Sequence, residues 1–354
     1  MPSFPNKIRF QSSKDRTLCT SSIVGGGKDV ALTGDLIGWR YDQPMHHVDG
    51  TDLYYYSKQL ESDARVTYRF TRDLQKAITD TLNPRVHRTR WFGRSNWFQM
   101  PDWHPPAHLE NHELAAKGRI DTLEFKTQIR DDSLSIPVYL PAEYESSSTR
   151  YPVVYFHEGD LAQSKGQLQQ SLDYLLGRDV EPVIVVFVPR LLQGGSRYLG
   201  AQGDKYLTAF VDELIPAVDQ KYRTWASREM RANMGCGFQG GFLSYIATIK
   251  KPGAVGKLAV QSMWWDSRED ENVRNILPSP SEYPLSIYIA WGRYDLHSPL
   301  EGAANIKKST RRGAELLTEA GYKYEGGEFN GGHGWHSWKT RTDKMFETLF
   351  PLQQ

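Results

Sequence analysis

The chain has 354 residues, enough for a large domain with a smaller companion, and its 39% hydrophobic and 24% charged residues suit a protein that folds around a core. A net charge of +1 argues against nucleic acid and membrane surfaces as partners, and two cysteines, Cys19 and Cys236, argue against a disulfide framework or a zinc site. No run approaches the roughly 20 apolar residues of a membrane span, and "MPSFPNKIRFQSSKDRTLCT" lacks the apolar centre of a signal peptide, so a cytoplasmic protein is expected.

The first part reads as β. "KDVALTGDLIGW" gives a short strand, a Gly-Asp turn and more apolar residues, and "TDLYYYSKQL" and "ARVTYRFTRD" are rich in Tyr, Val, Thr and Phe. Short strands between turn signals predict a small sandwich. The prolines and tryptophans of "TLNPRVHRTRWFGRSNWFQMPDWHPPAHLE" predict an irregular linker. The division expected is residues 1–115 for sandwich and linker, then 116–354 for a second domain.

From Gly118 the grammar changes. "RIDTLEFKTQI" and "SLSIPVYLP" alternate like paired strands, while "YPVVYFHEGD" and "PVIVVFVP" are apolar runs of the kind a buried parallel strand shows. "YLTAFVDELIPAVDQKY" has helical spacing. "MRANMGCG" is a strand running into a turn, with a helix over "GGFLSYIATIKKP". "KLAVQS" and "LSIYIAWGRYD" are further strands, "AANIKKSTRRGAELLTEAGY" an amphipathic helix, and "YKYEGGEFNGGHGWHSW" a strand and loop. Strands alternating with helices predict a mostly parallel sheet covered on both faces.

In such sheets ligands sit beyond the carboxyl ends of the strands. Those ends hold His157-Glu158-Gly159-Asp160, the Gly235–Gly241 turn, Asp295 and Gly331-Gly332-His333. Turn, then carboxylate, then histidine is the chain order of an α/β-hydrolase triad. Asp295 is the candidate acid that orients His333, and His333 the candidate proton carrier. Backbone N–H groups of Glu158, Gly159 and Phe238 are the candidate oxyanion donors. Trp264, Trp265, Trp335 and Trp338 could line an aromatic pocket, and Arg190, Arg197 and Arg293 could attract an anion. The Gly-rich "VGGGKDV" reads as a turn, and neither His46-His47 nor His104 with His108 makes a metal pattern. No cofactor or metal is expected.

With "YPVVYFHEGD", "PVIVVFVP", "FVDELIPAVDQKYRT", "GGFLSYIATIKKP", "GKLAVQS" and "EFNGGHGWHSW" in this order, the chain resembles the esterase D and enterochelin-esterase branch of the α/β-hydrolases. "VALTGDLIGW", "RVTYRF" and "LNPR" resemble the sandwich that precedes the catalytic domain in enterochelin esterases. It is similar also to glycan-binding-like modules ahead of some feruloyl and acetylxylan esterases. The resemblance implies an α/β-hydrolase domain after a sandwich and hydrolysis of ester bonds in siderophore trilactones by Ser and His with a supporting acid. His333 falls on the family histidine and Asp295 on a plausible acid position. The implied partner is a small-molecule ester, aromatic or siderophore-like; self-association into a homo-oligomer is left open.

The departure is at the nucleophile. "RANMGCGFQGGF" puts Gly237 at the serine position when matched forward, with Gln239 as an insertion, or Phe238 when matched backward. Gly237 is preferred, because a bulky Phe at the apex would fill the pocket. Three readings follow. The serine was replaced in a substrate-trapping variant; Cys236 is the nucleophile; or the chain has no covalent nucleophile, leaving His333 and Asp295 to act as a base on water or on an acidic substrate proton, or a pocket that only binds.

Overall fold

The computed structural model describes residues 9–13, 16–24, 29–40, 43–73, 76–89, 93–113, 116–191, 201–264, 270–297 and 305–352. Arg197 and Trp265 lie outside the described residues, as do the glycines of "VGGGKDV". The chain forms two compact units. The first is Met1–Pro105 with Trp291–Lys308 and Glu328–Ser337; the second is Pro106–Ala290 with Ser309–Gly327 and Trp338–Gln354.

The first unit carries strands β1 (Arg9–Ser13), β2 (Arg16–Val24), β3 (Val30–Gly34), β4 (Gln43–Pro44), β5 (His46–His47), β6 (Leu53–Glu61), β7 (Arg65–Arg72), β8 (Lys76–Ile78), β9 (Val86–Thr89) and β10 (Gly93–Gln99). One sheet runs β1-β2-β6-β5, all antiparallel. The other is built on β7, which pairs antiparallel with β3, β8 and β10. Alternation along β7 sends Val66, Tyr68 and Phe70 to one face. There they share a core with Leu32 and Phe98 of their own sheet, with Met100 just after β10, and with Ile23, Leu60, Tyr54 and Tyr56 of the other sheet. Tyr68 meets Phe70 and Phe98 edge to face, at 5.6 and 5.7 Å between ring centroids, a favoured aromatic geometry.

The stretch expected as a linker contains β9 and β10, so that expectation is corrected. Its polar residues hide the strands. Asn96 sits mid-strand, opposite Tyr68. Its side chain accepts the Asp80 N–H at 2.6 Å and donates to the carbonyls of Asp80 and Asn83 at 2.9 and 2.8 Å. A buried amide with its bonds made is tolerated where local pattern reads a loop. The 104–113 part does stay irregular, apart from a 3-10 turn at Ala107–Leu109.

In the second unit β11 (Arg119–Phe125), β12 (Leu134–Leu140), β13 (Val153–His157), β14 (Ile184–Val188), β15 (Arg231–Cys236), β16 (Lys257–Gln261) and β17 (Ser286–Tyr294) form a sheet ordered β11-β12-β14-β13-β15-β16-β17. The strands from β13 to β17 are parallel, with His157 level with Gly235 and Cys236 level with Gln261. The apolar runs of β13 and β14 are buried at every position, as strands covered on both faces must be. Helices α1 (Gly159–Ser164), α2 (Leu168–Leu175), α3 (Ala201–Thr208), α4 (Ile215–Lys221), α5 (Gly237–Lys250), α6 (Asp270–Ile276) and α7 (Ile306–Glu319) connect the strands. The chain continues through β18 (Glu325–Gly332), α8 (Trp335–Trp338) and α9 (Thr342–Leu349). β17 and β18 are divided between the two units at Ala290/Trp291 and Gly327/Glu328. A mostly parallel sheet flanked by helices, after an N-terminal pair of sheets, is the α/β-hydrolase architecture expected.

Candidate active site

At the junction of β15 and α5 the strand ends at Cys236 and the helix begins at Gly237 without an intervening loop. Gly237 has φ +79, in the left-handed region where a side chain is strained. The two elements touch through glycine: a Cβ on Gly235 would lie 2.1 Å from the carbonyl oxygen of Gly240. This is a sharp strand-to-helix turn of the kind a hydrolase nucleophile occupies, with Gly237 rather than Phe238 at its left-handed position. An added Cβ at Gly237 would come 2.7 Å from Cη2 of Trp338. That indole is buried and donates Nε1–H to Ser262 Oγ at 2.9 Å.

Cys236, one residue before the apex, is 2% exposed. Burial, and then the charge of Glu158, push its thiol pKa well above the ordinary range, so a thiolate is disfavoured there.

Glu158 follows β13 in the left-handed region, φ 55, and leads into α1 through Gly159. Its backbone position was legible; the work of its side chain was not. One carboxylate oxygen accepts from Arg190 at 3.0 Å and the other from the N–H of Gly240 at 3.3 Å, so Glu158 ties the end of β13 to the start of α5. The amide of Phe238 lies in the first turn of α5, where N–H groups have no intrahelical acceptor. His157 beneath is fully buried. It contacts Tyr206 Oη at 2.6 Å and Asn233 Oδ1 at 3.3 Å, and burial lowers its pKa to about 4.

In the first unit, the ends of β17 and β18 bring Asp295 and His333 together. His333 Nδ1 lies 2.6 Å from Asp295 Oδ1, with side-chain exposures of 5% and 0%. The same oxygen accepts the N–H of Leu296 at 2.8 Å, which fixes the carboxylate. The competing histidines are used elsewhere. His297 Nδ1 faces the Asp295 carbonyl at 2.8 Å; His336 Nε2 faces Thr67 Oγ1 at 2.9 Å, its ring stacked on His87.

Trp264 is half-buried, its ring 5.3 Å from Phe238. Trp335 opens α8, two residues after His333, and is half-buried. Arg293 is committed to structure: it pairs with Glu61 and, through Nε at 2.8 Å, with Glu328. Tyr294 also donates to Glu61. His47 and His108 bond the carbonyls of Thr51 and Lys339. Among the described residues no three His, Cys, Asp or Glu are grouped to hold a metal, and no helix is long and apolar enough to cross a membrane.

A family model named "Esterase", described as "Putative esterase", matches residues 127–349. An endo-1,4-beta-xylanase/feruloyl esterase of Xylanibacter ruminicola is 28% identical over 250 residues, 66% of this chain and 31% of that protein. The chain thus spans about a third of that relative's length. Bacillus subtilis YbbA is 24% identical over 52% of this chain and 78% of its own. The ferric enterobactin esterase of Salmonella typhimurium superposes with a TM-score of 0.74 at 14% identity, covering 98% of this chain and 96% of that one. A feruloyl esterase module of Clostridium thermocellum, an S954A mutant complexed with sinapinate, gives 0.54 at 18% identity over 71% and 94%.

Proposed function

This chain belongs to the esterase family, and from that premise we propose that it is an ester hydrolase of the enterochelin-esterase type that works without a covalent nucleophile. Its substrate is a small-molecule ester with an aromatic or siderophore-like acyl group. The observation that carries this reading is the 2.6 Å contact of His333 Nδ1 with Asp295 in the first unit, in a chain whose second unit has a strand-to-helix elbow starting at a glycine. A carboxylate on Nδ1 fixes the tautomer and leaves Nε2 as the base.

Without a seryl oxygen, water is the nucleophile. Its oxygen bonds to the ester carbonyl carbon while Nε2 of His333 takes its proton. The tetrahedral oxyanion is met by N–H groups of the Glu158–Gly159 turn and of Phe238. Collapse breaks the bond to the alcohol oxygen, which receives the proton back from His333. Cys236 is a poor alternative, because its thiol is buried and held neutral. Phe238, Trp264 and Trp338 around the elbow suit an aromatic acyl group.

One observation favours a second reading, a protein that binds such esters without cleaving them: the Trp338 indole stands where a side chain at 237 would begin. Hydrolysis of p-nitrophenyl esters separates the two. The first reading predicts slow turnover that survives Cys236→Ala and is lost in His333→Ala. No turnover above solvent, with retained ligand binding, selects the second. Gly237→Ser is expected to raise kcat/KM on the order of 100-fold, through a restored acyl-enzyme route. No gain in a folded Gly237→Ser protein counts against the first reading.

A further inference from the structure

Far from His333 in sequence, Asp35 follows β3 in the Gly-Asp turn of the sandwich and is completely buried. Three N–H donors converge on its carboxylate. Trp39 Nε1–H reaches Oδ1 at 2.8 Å, the Thr67 amide reaches Oδ2 at 2.7 Å, and the amide of His333 reaches Oδ1 at 3.3 Å. A carboxyl group that accepts several N–H bonds is held in one position by them. The chain beside it is shaped to this group: a Cβ on Gly332 would lie 2.0 Å from the Asp35 carboxylate. The next residues are tied in as well. His336 Nε2 stands 3.7 Å from Oδ2, and Arg65 donates to the His336 carbonyl at 3.2 Å.

We infer that Asp35 is a positioning residue for His333: it clamps the backbone of the Gly332–His333 turn while Asp295 clamps the imidazole. The sandwich then supplies half the support of the histidine. The inference rests on the catalytic reading of His333 only for its kinetic consequence; the clamp itself is read without turnover.

The test uses the full chain with Asp35→Asn and Trp39→Phe. Asparagine keeps the size but turns an NH2 toward an N–H donor; phenylalanine removes one of the three bonds. Two readouts report the clamp: hydrogen exchange of the His333 amide, and the low-field proton resonance of the His333 Nδ1–H donated to Asp295. The expectation for Asp35→Asn is at least tenfold faster exchange at that amide, a shifted or broadened resonance, and a kcat lowered about tenfold with KM little changed. Trp39→Phe shows the same changes in smaller measure, and carries the test should Asp35→Asn not fold. Unchanged exchange and an unchanged resonance in a folded variant overturn the inference. If His333→Ala hydrolyses esters as fast as the native chain, the catalytic reading falls, while exchange and resonance still decide the clamp.

Discussion

Cys236 and His333 are each read by surroundings rather than by type. A thiol at 2% exposure with its pKa pushed up is inert toward disulfide reagents. In a Cys19→Ser background, Cys236 is therefore expected to label with a thiol reagent at least 100-fold more slowly in the native protein than in urea. Fast native labelling reopens the thiol route. For the pair on β17 and β18, Asp295→Asn keeps the size but removes the acceptor that fixes the imidazole tautomer. The expected loss in kcat is about 10²–10⁴-fold, with the fold intact by circular dichroism. The pairing of Asp295 with His333 was legible because each follows a strand segment, in hydrolase order. Asp35 was not: nothing local in "TGDLIGW" distinguishes it from an ordinary turn aspartate, and its partner His333 lies 298 positions away. The carboxylate of Glu158 was hidden in the same way, since its acceptor role toward Gly240 exists only once α5 packs on β13 and β15.

The elbow shows what an element-level pattern can and cannot carry. Glycines on both sides of the apex were read as packing requirements, and Gly235 against Gly240 is such a contact. Gly235→Ala would force its methyl into the Gly240 carbonyl, and about 3 kcal/mol of stability should be lost, read as a lowered urea midpoint at unchanged slope. A loss under about 1 kcal/mol would mean that α5 can lift from β15. The ambiguity between Gly237 and Phe238 could not be resolved from residue types, because both alignments keep flanking glycines. What distinguishes the two residues in the structure is backbone conformation, φ +79 at Gly237. β9 and β10 were missed for the opposite reason. Their polar residues fit no strand pattern, and only pairing with β7 and the bonds of Asn96 to the 80–83 turn make them strands.

On the scale of the molecule, the layered architecture was readable because buried parallel strands are apolar at every position and the helices between them keep their spacing. Acid sensitivity is a property of the whole fold that composition does not show. His157 is neutral and buried, with its pKa lowered from the ordinary 6.5 to about 4. Between those values the unfolded chain binds a proton that the folded chain refuses. Its contribution is therefore fully present above pH 6.5 and lost as pH falls toward 4, about 3 kcal/mol in all. Denaturation at pH 7 and pH 5 should show a loss of about 2 kcal/mol that His157→Gln removes; equal pH dependence in both proteins contradicts the assignment. The central claim, hydrolysis by a histidine–carboxylate pair without a covalent intermediate, is tested most directly by intact mass during turnover of p-nitrophenyl acetate. The prediction is release of p-nitrophenol, abolished by His333→Ala, with the native chain at its unmodified mass throughout. An acetyl adduct that forms and decays on the native chain at the rate of turnover would contradict it.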